Sequence, residues 1–150
     1  MEKINIRKAL KADLPAVYNL VQELAIYEKE PEAVTATLSD YQNDFEAGIF
    51  ESQVAEVKGK VVGIAIYYMT YSTWKGRMLY LEDFVVQESY RKFGIGQLLF
   101  DAFLAEAKKK KARMVKWQVL NWNEPALSFY RKNGAIIEKN WWSGKIFLEK

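Results

Sequence analysis

The chain has 150 residues, half of them hydrophobic and 27% charged, with a formal net charge of +3. That length describes one domain, 1–150, able to bury a core without covalent staples. It has neither cysteine nor histidine, which excludes disulfides, thiolate nucleophiles, metals held by those residues, Ser-His-Asp triads and an imidazole base.

Residues 3–7 read as a first strand. Asp13 is placed to cap a helix with Pro15 in its first turn, and Leu14, Val17, Tyr18, Val21, Leu24 and Ala25 recur at helical spacing. A polar stretch with Pro31 leads to a short helix over 39–47. Segments 53–57 and 61–69 flank Lys58-Gly59-Lys60 as a hairpin, and 78–86 joins them as a third strand after a turn at 73–76. Gly94 and Gly96 introduce a long helix whose apolar side is Ile95, Leu98, Leu99, Ala102 and Phe103. A strand at 114–120, a helix at 124–132 ended by Asn133-Gly134, and a closing hairpin of 135–138 with 145–148 complete a mixed α/β chain.

Charge is unevenly spread. Residues 1–50 carry 9 acidic and 5 basic side chains; residues 101–150 carry 5 and 11. Within 23–46 seven carboxylates (Glu23, Glu28, Glu30, Glu32, Asp40, Asp44 and Glu46) face only Lys29, a rim suited to a cationic ligand. The lysine run at 108–111 follows an amphipathic segment, where cations complement a helix C-terminus, so nucleic acid is not an expected partner. The start alternates charged and apolar residues, and the longest apolar run, 61–69, is too short to span a bilayer; a cytoplasmic protein without membrane contact is expected.

The sharpest local signal is Val85-Val86-Gln87-Glu88-Ser89-Tyr90-Arg91-Lys92-Phe93-Gly94-Ile95-Gly96-Gln97-Leu98. An apolar strand runs through a glycine-bearing loop straight into a helix. The glycines allow a turn and a close approach of backbone to ligand, and the first helical amides with the helix dipole favour a diphosphate. Arg91 and Lys92 add mobile positive charge beside it. A dinucleotide fingerprint would need a further glycine and a P-loop a Gly-Lys-Ser/Thr run; neither is present. Taken alone, Gly-x-Gly is equally a helix start that binds nothing.

Arg91-x-x-Gly94-x-Gly96 after an apolar strand resembles the signature of the GNAT acyltransferase superfamily. Leu79-Tyr80-Leu81-Glu82-Asp83-Phe84-Val85-Val86, Trp122-Asn123-Glu124-Pro125 followed by Phe129-Tyr130, Glu23-Leu24-Ala25-x-Tyr27-Glu28 and Tyr67-Tyr68-x-Thr70-Tyr71-x-x-Trp74 resemble the diamine (spermidine/spermine) N-acetyltransferases within it. The stretches occur in family order along nearly the whole chain. Lys92 departs from the family, which usually has glycine there.

The resemblance implies a GNAT fold: a twisted, mixed but mostly antiparallel sheet of six to seven strands with a splayed middle pair and about four helices. It implies acetyl-CoA as cosubstrate, no metal, a small amine as partner and a homodimer, in whose interface Trp141 and Trp142 are candidates. Residue by residue, Phe84, Val85 and Val86 would hold the pantetheine arm by their backbone. Arg91, Lys92, Phe93, Gly94, Ile95, Gly96 and Gln97 would form the diphosphate loop. Asn123 would touch the coenzyme arm or cap the helix after it. Tyr130 would protonate the departing thiolate, for which a phenol of pKa about 10 is suited. Tyr27, Glu28, Trp74, Glu82 and Asp83 would contact the amine.

A primary amine of pKa about 10.4 is neutral in fewer than roughly one molecule in a thousand at pH 7, a deficit of about 4.6 kcal/mol. Without histidine, a carboxylate, a water chain or a dry site must remove the proton. Glu82, on the strand carrying the thioester contacts, is the first candidate; strand alternation sends Asp83 to the opposite face, in a more structural role. A second charged end anchored on Glu28 would let the first end react. Two alternatives stay open: the same chemistry on an amino acid such as thialysine or lysine, with Lys29 or Lys75 meeting its carboxylate, and a CoA-binding regulatory module without catalysis.

Overall fold

The computed structural model describes residues 2–149. By density of contacts the chain divides into Met1–Gln118 and Val119–Lys150. The first unit holds a sheet of five strands in the order β1 (Ile4–Lys8), β2 (Glu51–Val57), β3 (Lys60–Ser72), β4 (Gly76–Val86) and β5 (Met114–Trp117). The first four pair antiparallel and β5 pairs parallel to β4. Helices α1 (Leu14–Tyr27), α2 (Leu38–Glu46) and α3 (Ile95–Lys109) belong to the same unit.

Two cores form because apolar residues alternate along the strands and recur every third or fourth position on the helices. On one face Val17, Leu20 and Val21 of α1 pack with Val54, Ile64, Ile66 and Val85. On the other, Ile95 and Leu99 of α3 pack with Ala55, Val57 and Val62. The β2–β3 turn uses Lys58 and Gly59, both at positive φ (52° and 76°), which the tight two-residue hairpin requires. Gly63 permits the closest approach of α3: a Cβ there would lie 3.0 Å from Leu99 Cδ1.

Two features of β4 interrupt the regularity of the sheet. Its register against β3 passes from Ile66↔Asp83 to Tyr67↔Leu81, leaving Glu82 as the extra residue of a β-bulge. Its ladder with β5 is only four residues long and ends at Leu81↔Trp117, while β4 itself runs on to Val86.

Two expectations are corrected. The sheet has five strands among the described residues instead of six to seven, because 135–138 and 145–148 form no hairpin. Ile136, Ile146, Phe147 and Leu148 are exposed there, and an isolated hairpin with nothing to bury is marginal. The pair whose ladder stops short is β4 with β5, the strand before the glycine-bearing loop and its neighbour. Asp13 makes no side-chain cap to α1; it accepts from Leu10 N–H and forms a 2.8 Å ion pair with Arg7, which holds its carboxyl below the usual range.

The second unit contains α4 (Glu124–Lys132), N-capped by Asn123, whose side chain accepts from Ala126 N–H at 3.4 Å. Leu127 and Tyr130 are its buried residues.

Candidate active site

The glycine-bearing loop leaves β4 where Gln87 N–H bonds to Val62 O at 2.8 Å. Since backbone groups alternate along a strand, those of Val86 face the edge away from β3. A single 3₁₀ turn at Glu88–Tyr90 comes next. Arg91 is then anchored, not mobile: its Nε donates to Val86 O at 2.9 Å and its guanidinium lies 5.9 Å from the centre of the Tyr27 ring.

Lys92 occupies left-handed backbone at φ 72°, which explains why glycine suits that position; a side chain there costs about 1 kcal/mol. Gly94 sits at φ 80° as N-cap of α3, with open space where a Cβ would be. The first intrahelical bond runs from Leu98 N–H to Gly94 O at 3.1 Å, so the amides of Ile95, Gly96 and Gln97 lie ahead of it at the positive end of the helix dipole. Phe93 is exposed, and the Ile95 side chain belongs to the core. Gln97 donates to Asp101 Oδ1 at 2.9 Å. Open backbone at Gly94, amides at a fifteen-residue helix start and flanking Arg91 and Lys92 fit a diphosphate. Phe84 and Val86 pack on the α3-side core and Val85 on the α1-side core, so these side chains are structural and only their backbone remains for a ligand.

Beside the loop, the bulge opens onto a cavity of about 360 Å³ whose lining includes Leu24, Glu28, Glu30, Tyr41, Glu82 and Asp83, and no lysine or arginine. Both bulge carboxylates line it, which corrects the expectation of opposite faces: the extra residue interrupts alternation, so neighbours open onto one side. The half-buried Asp83 is pushed up to about 7, first by loss of water and then by the charges of Glu82 and Glu28. Burial also raises Glu28. The Tyr41 phenol is pushed up to about 12, first by burial and then by Asp83. Four carboxylates in one concavity favour a cation; no group of three or more described Asp or Glu has the arrangement to hold a metal ion.

The remaining candidates fall elsewhere. Tyr27, at the end of α1, lies under Arg91 and does not line the cavity. Trp74 is exposed at the tip of the β3–β4 hairpin, also outside the lining, as are Lys29 and Lys75. In the second unit, Tyr130 lies edge-on to Phe129 at 5.6 Å between ring centres. Sequence reasoning gave no role to Tyr41 or to Tyr68, whose hydroxyl donates to Glu82 Oε1 at 2.5 Å. The signals for Tyr68 were its place in the Tyr67-Tyr68-x-Thr70-Tyr71-x-x-Trp74 stretch and an aromatic pair, Tyr68 and Tyr80, on neighbouring strands.

The chain is similar to known proteins in sequence and in fold. A human protein, spermidine/spermine N(1)-acetyltransferase-like protein 1, is 33% identical over 94% of this chain, which spans 22% of that protein. Bovine thialysine N-epsilon-acetyltransferase is 34% identical over 95% of this chain and 91% of its own. Among solved structures, an aminoglycoside acetyltransferase from an uncultured soil metagenomic sample superposes with a TM-score of 0.81 at 21% identity, covering 97% of both chains. An aminoglycoside N-acetyltransferase in complex with CoA does so at 0.78 and 18% identity, over 97% of this chain and 96% of its own. At such identities the structures speak for the fold alone. The profile of the acetyltransferase (GNAT) family matches residues 14–135, and the chain belongs to that family of N-acetyltransferases.

Proposed function

We propose that this protein is a cytoplasmic, homodimeric N-acetyltransferase that moves the acetyl group of acetyl-CoA to a primary amine of a polyamine or diamine, by direct attack with both substrates bound. The cavity carries the reading. Its lining offers Glu28, Glu30, Glu82 and Asp83 and no basic side chain, so a ligand with several ammonium groups is attracted along its length. An amino acid would bring its α-carboxylate into the same field without a cation to meet it. The name of the human relative supports a polyamine; that of the bovine relative keeps thialysine as the competitor to be tested. Exposed Trp141 and Trp142 support the homodimer.

Acetyl-CoA, when bound, supplies a thioester whose carbonyl carbon is the electrophile. The amides of Ile95, Gly96 and Gln97, with Arg91 and Lys92, would take its diphosphate, and Phe84, Val85 and Val86 would align its arm. Arg91 already satisfies the Val86 carbonyl, which leaves the Val86 N–H as the donor toward the thioester oxygen. One distal ammonium held by Glu28 keeps its charge. The reacting one gives a proton to the Glu82–Asp83 pair, directly or through water, and its nitrogen attacks. Of the three ammonium protons, one passes to that pair, one ends on sulfur by way of the Tyr130 hydroxyl, and one stays on the amide.

Thiol release with acetyl-CoA across spermidine, spermine, putrescine, thialysine and lysine tests this. Spermidine and spermine should exceed both amino acids in kcat/KM by at least tenfold. Glu28→Gln should raise the spermidine KM about tenfold with kcat within threefold. The opposite ranking would assign the enzyme to amino acids.

A further inference from the structure

Removing a proton from the reacting ammonium needs a carboxylate free to accept it, and the two beside the bulge are not equivalent. The Tyr68 phenol holds Glu82 Oε1 at 2.5 Å, a length typical of strong charge-assisted bonds. Its ring stacks on Tyr80 with centres 5.5 Å apart and planes 24° from parallel. The two tyrosines face one another in the β3–β4 ladder, so the donor is carried on paired strands, not on a loop. One oxygen of Glu82 is thereby committed.

Asp83 stands beside it on the same cavity. The groups acting on it are Glu82 of its own strand and Glu28 at the end of α1, with the neutral phenols of Tyr68, Tyr80 and Tyr41 around them. No cation of the lining competes for it.

We propose that Tyr68 is a positioning residue that fixes Glu82 as the anchor of the reacting ammonium and leaves Asp83 as the carboxylate that takes its proton. The inference rests on the acetyltransfer reading. In the step, an N–H bond of the ammonium breaks and its electron pair stays on nitrogen. The proton goes to an Asp83 oxygen and leaves to solvent after turnover. Burial gives Asp83 a proton affinity near neutrality, which a base working at pH 7 needs and an ordinary aspartate lacks.

The test is thiol release by the full chain with acetyl-CoA and spermidine between about pH 5.5 and 9. In the wild type kcat/KM should rise through an ionisation near pH 7. Asp83→Asn should lose that limb and at least about 100-fold of kcat, with the spermidine KM changed less than threefold. Glu82→Gln should keep the limb and raise KM at least tenfold. Tyr68→Phe should raise KM about tenfold, displace the limb upward by about half a pH unit, and hold plateau kcat within fivefold. A merely structural tyrosine would not move the limb. Should Tyr68→Phe melt before assay, Tyr68→Met, which also removes the donor and keeps an apolar side chain on the strand, is read in its place.

A limb lost in Glu82→Gln and kept in Asp83→Asn overturns the inference alone, as does a tyrosine variant with wild-type KM and limb. No thiol release by the wild type with any amine overturns the acetyltransfer reading and this inference with it.

Discussion

Asp83 illustrates how a single side chain carries opposite demands. Its carboxyl is ordinarily near 3.8 and is pushed up to about 7 in the fold. Between those values the native state keeps a proton that the unfolded chain has released, so this group makes stability fall as pH rises through the window. Asp83→Asn copies the protonated form. It should melt like the wild type near pH 4, gain progressively above it, and be more stable by on the order of 1–2 kcal/mol at pH 8, after discounting for partial exposure. Thermal melts across that range check it; a variant destabilised equally at every pH would show packing instead. Activity should move the other way, since the ionised carboxylate that weakens the fold is the form that meets the amine.

At the scale of elements, Gly63 is where packing and ligand binding meet. A methyl there would press Leu99 Cδ1 at 3.0 Å and the Val85 carbonyl and Val86 Cγ2 at 3.4 Å. Gly63→Ala should cost about 1–2 kcal/mol by chemical denaturation and raise the acetyl-CoA KM, because it displaces the end of β4 proposed to hold the thioester arm. An unchanged KM with lowered stability would separate the two roles.

The helices were legible because their apolar residues repeat at 3–4 positions, and the first four strands because they are alternating or continuous apolar runs bounded by turn residues. The bulge was hidden by that same regularity. Leu79, Leu81 and Val85 keep to a period of two that is interrupted only at Asp83, yet they do not share a face. Leu81 lies opposite Tyr67, whose ring meets Phe103 of α3, whereas Val85 packs with α1. An apolar residue on each side of the extra position satisfies a different core, so the pattern reads straight through the irregularity. The loop showed its chemistry in Gly94 and Gly96, but not that Arg91 would be tied to Val86 O. The closing hairpin failed for the converse reason: strand propensity at 135–148 is local, and a strand needs something to cover.

On the scale of the whole molecule, the acidic first third contributes Glu28 and Glu30 to the lining of the carboxylate cavity. The sheet, the loop and this cavity all belong to the first unit, whereas the proposed acid, Tyr130, belongs to the second. Its role can be isolated by kinetics. Tyr130→Phe should lower kcat roughly 10- to 100-fold, the range of a positioned proton donor, with acetyl-CoA affinity by calorimetry within about threefold. Equal loss of binding and turnover would mean that the ring matters for packing near Phe129, not for proton transfer.

The paired acids of β4 depend on one supernumerary position in a strand. Deleting that single codon would restore strict pleating, remove Glu82 and leave Asp83 as the one acid that β4 brings to the mouth. Gain or loss of the proposed dibasic-ligand preference within such a lineage is thus one in-frame indel away, and substitution-based comparisons of descendants would overlook it.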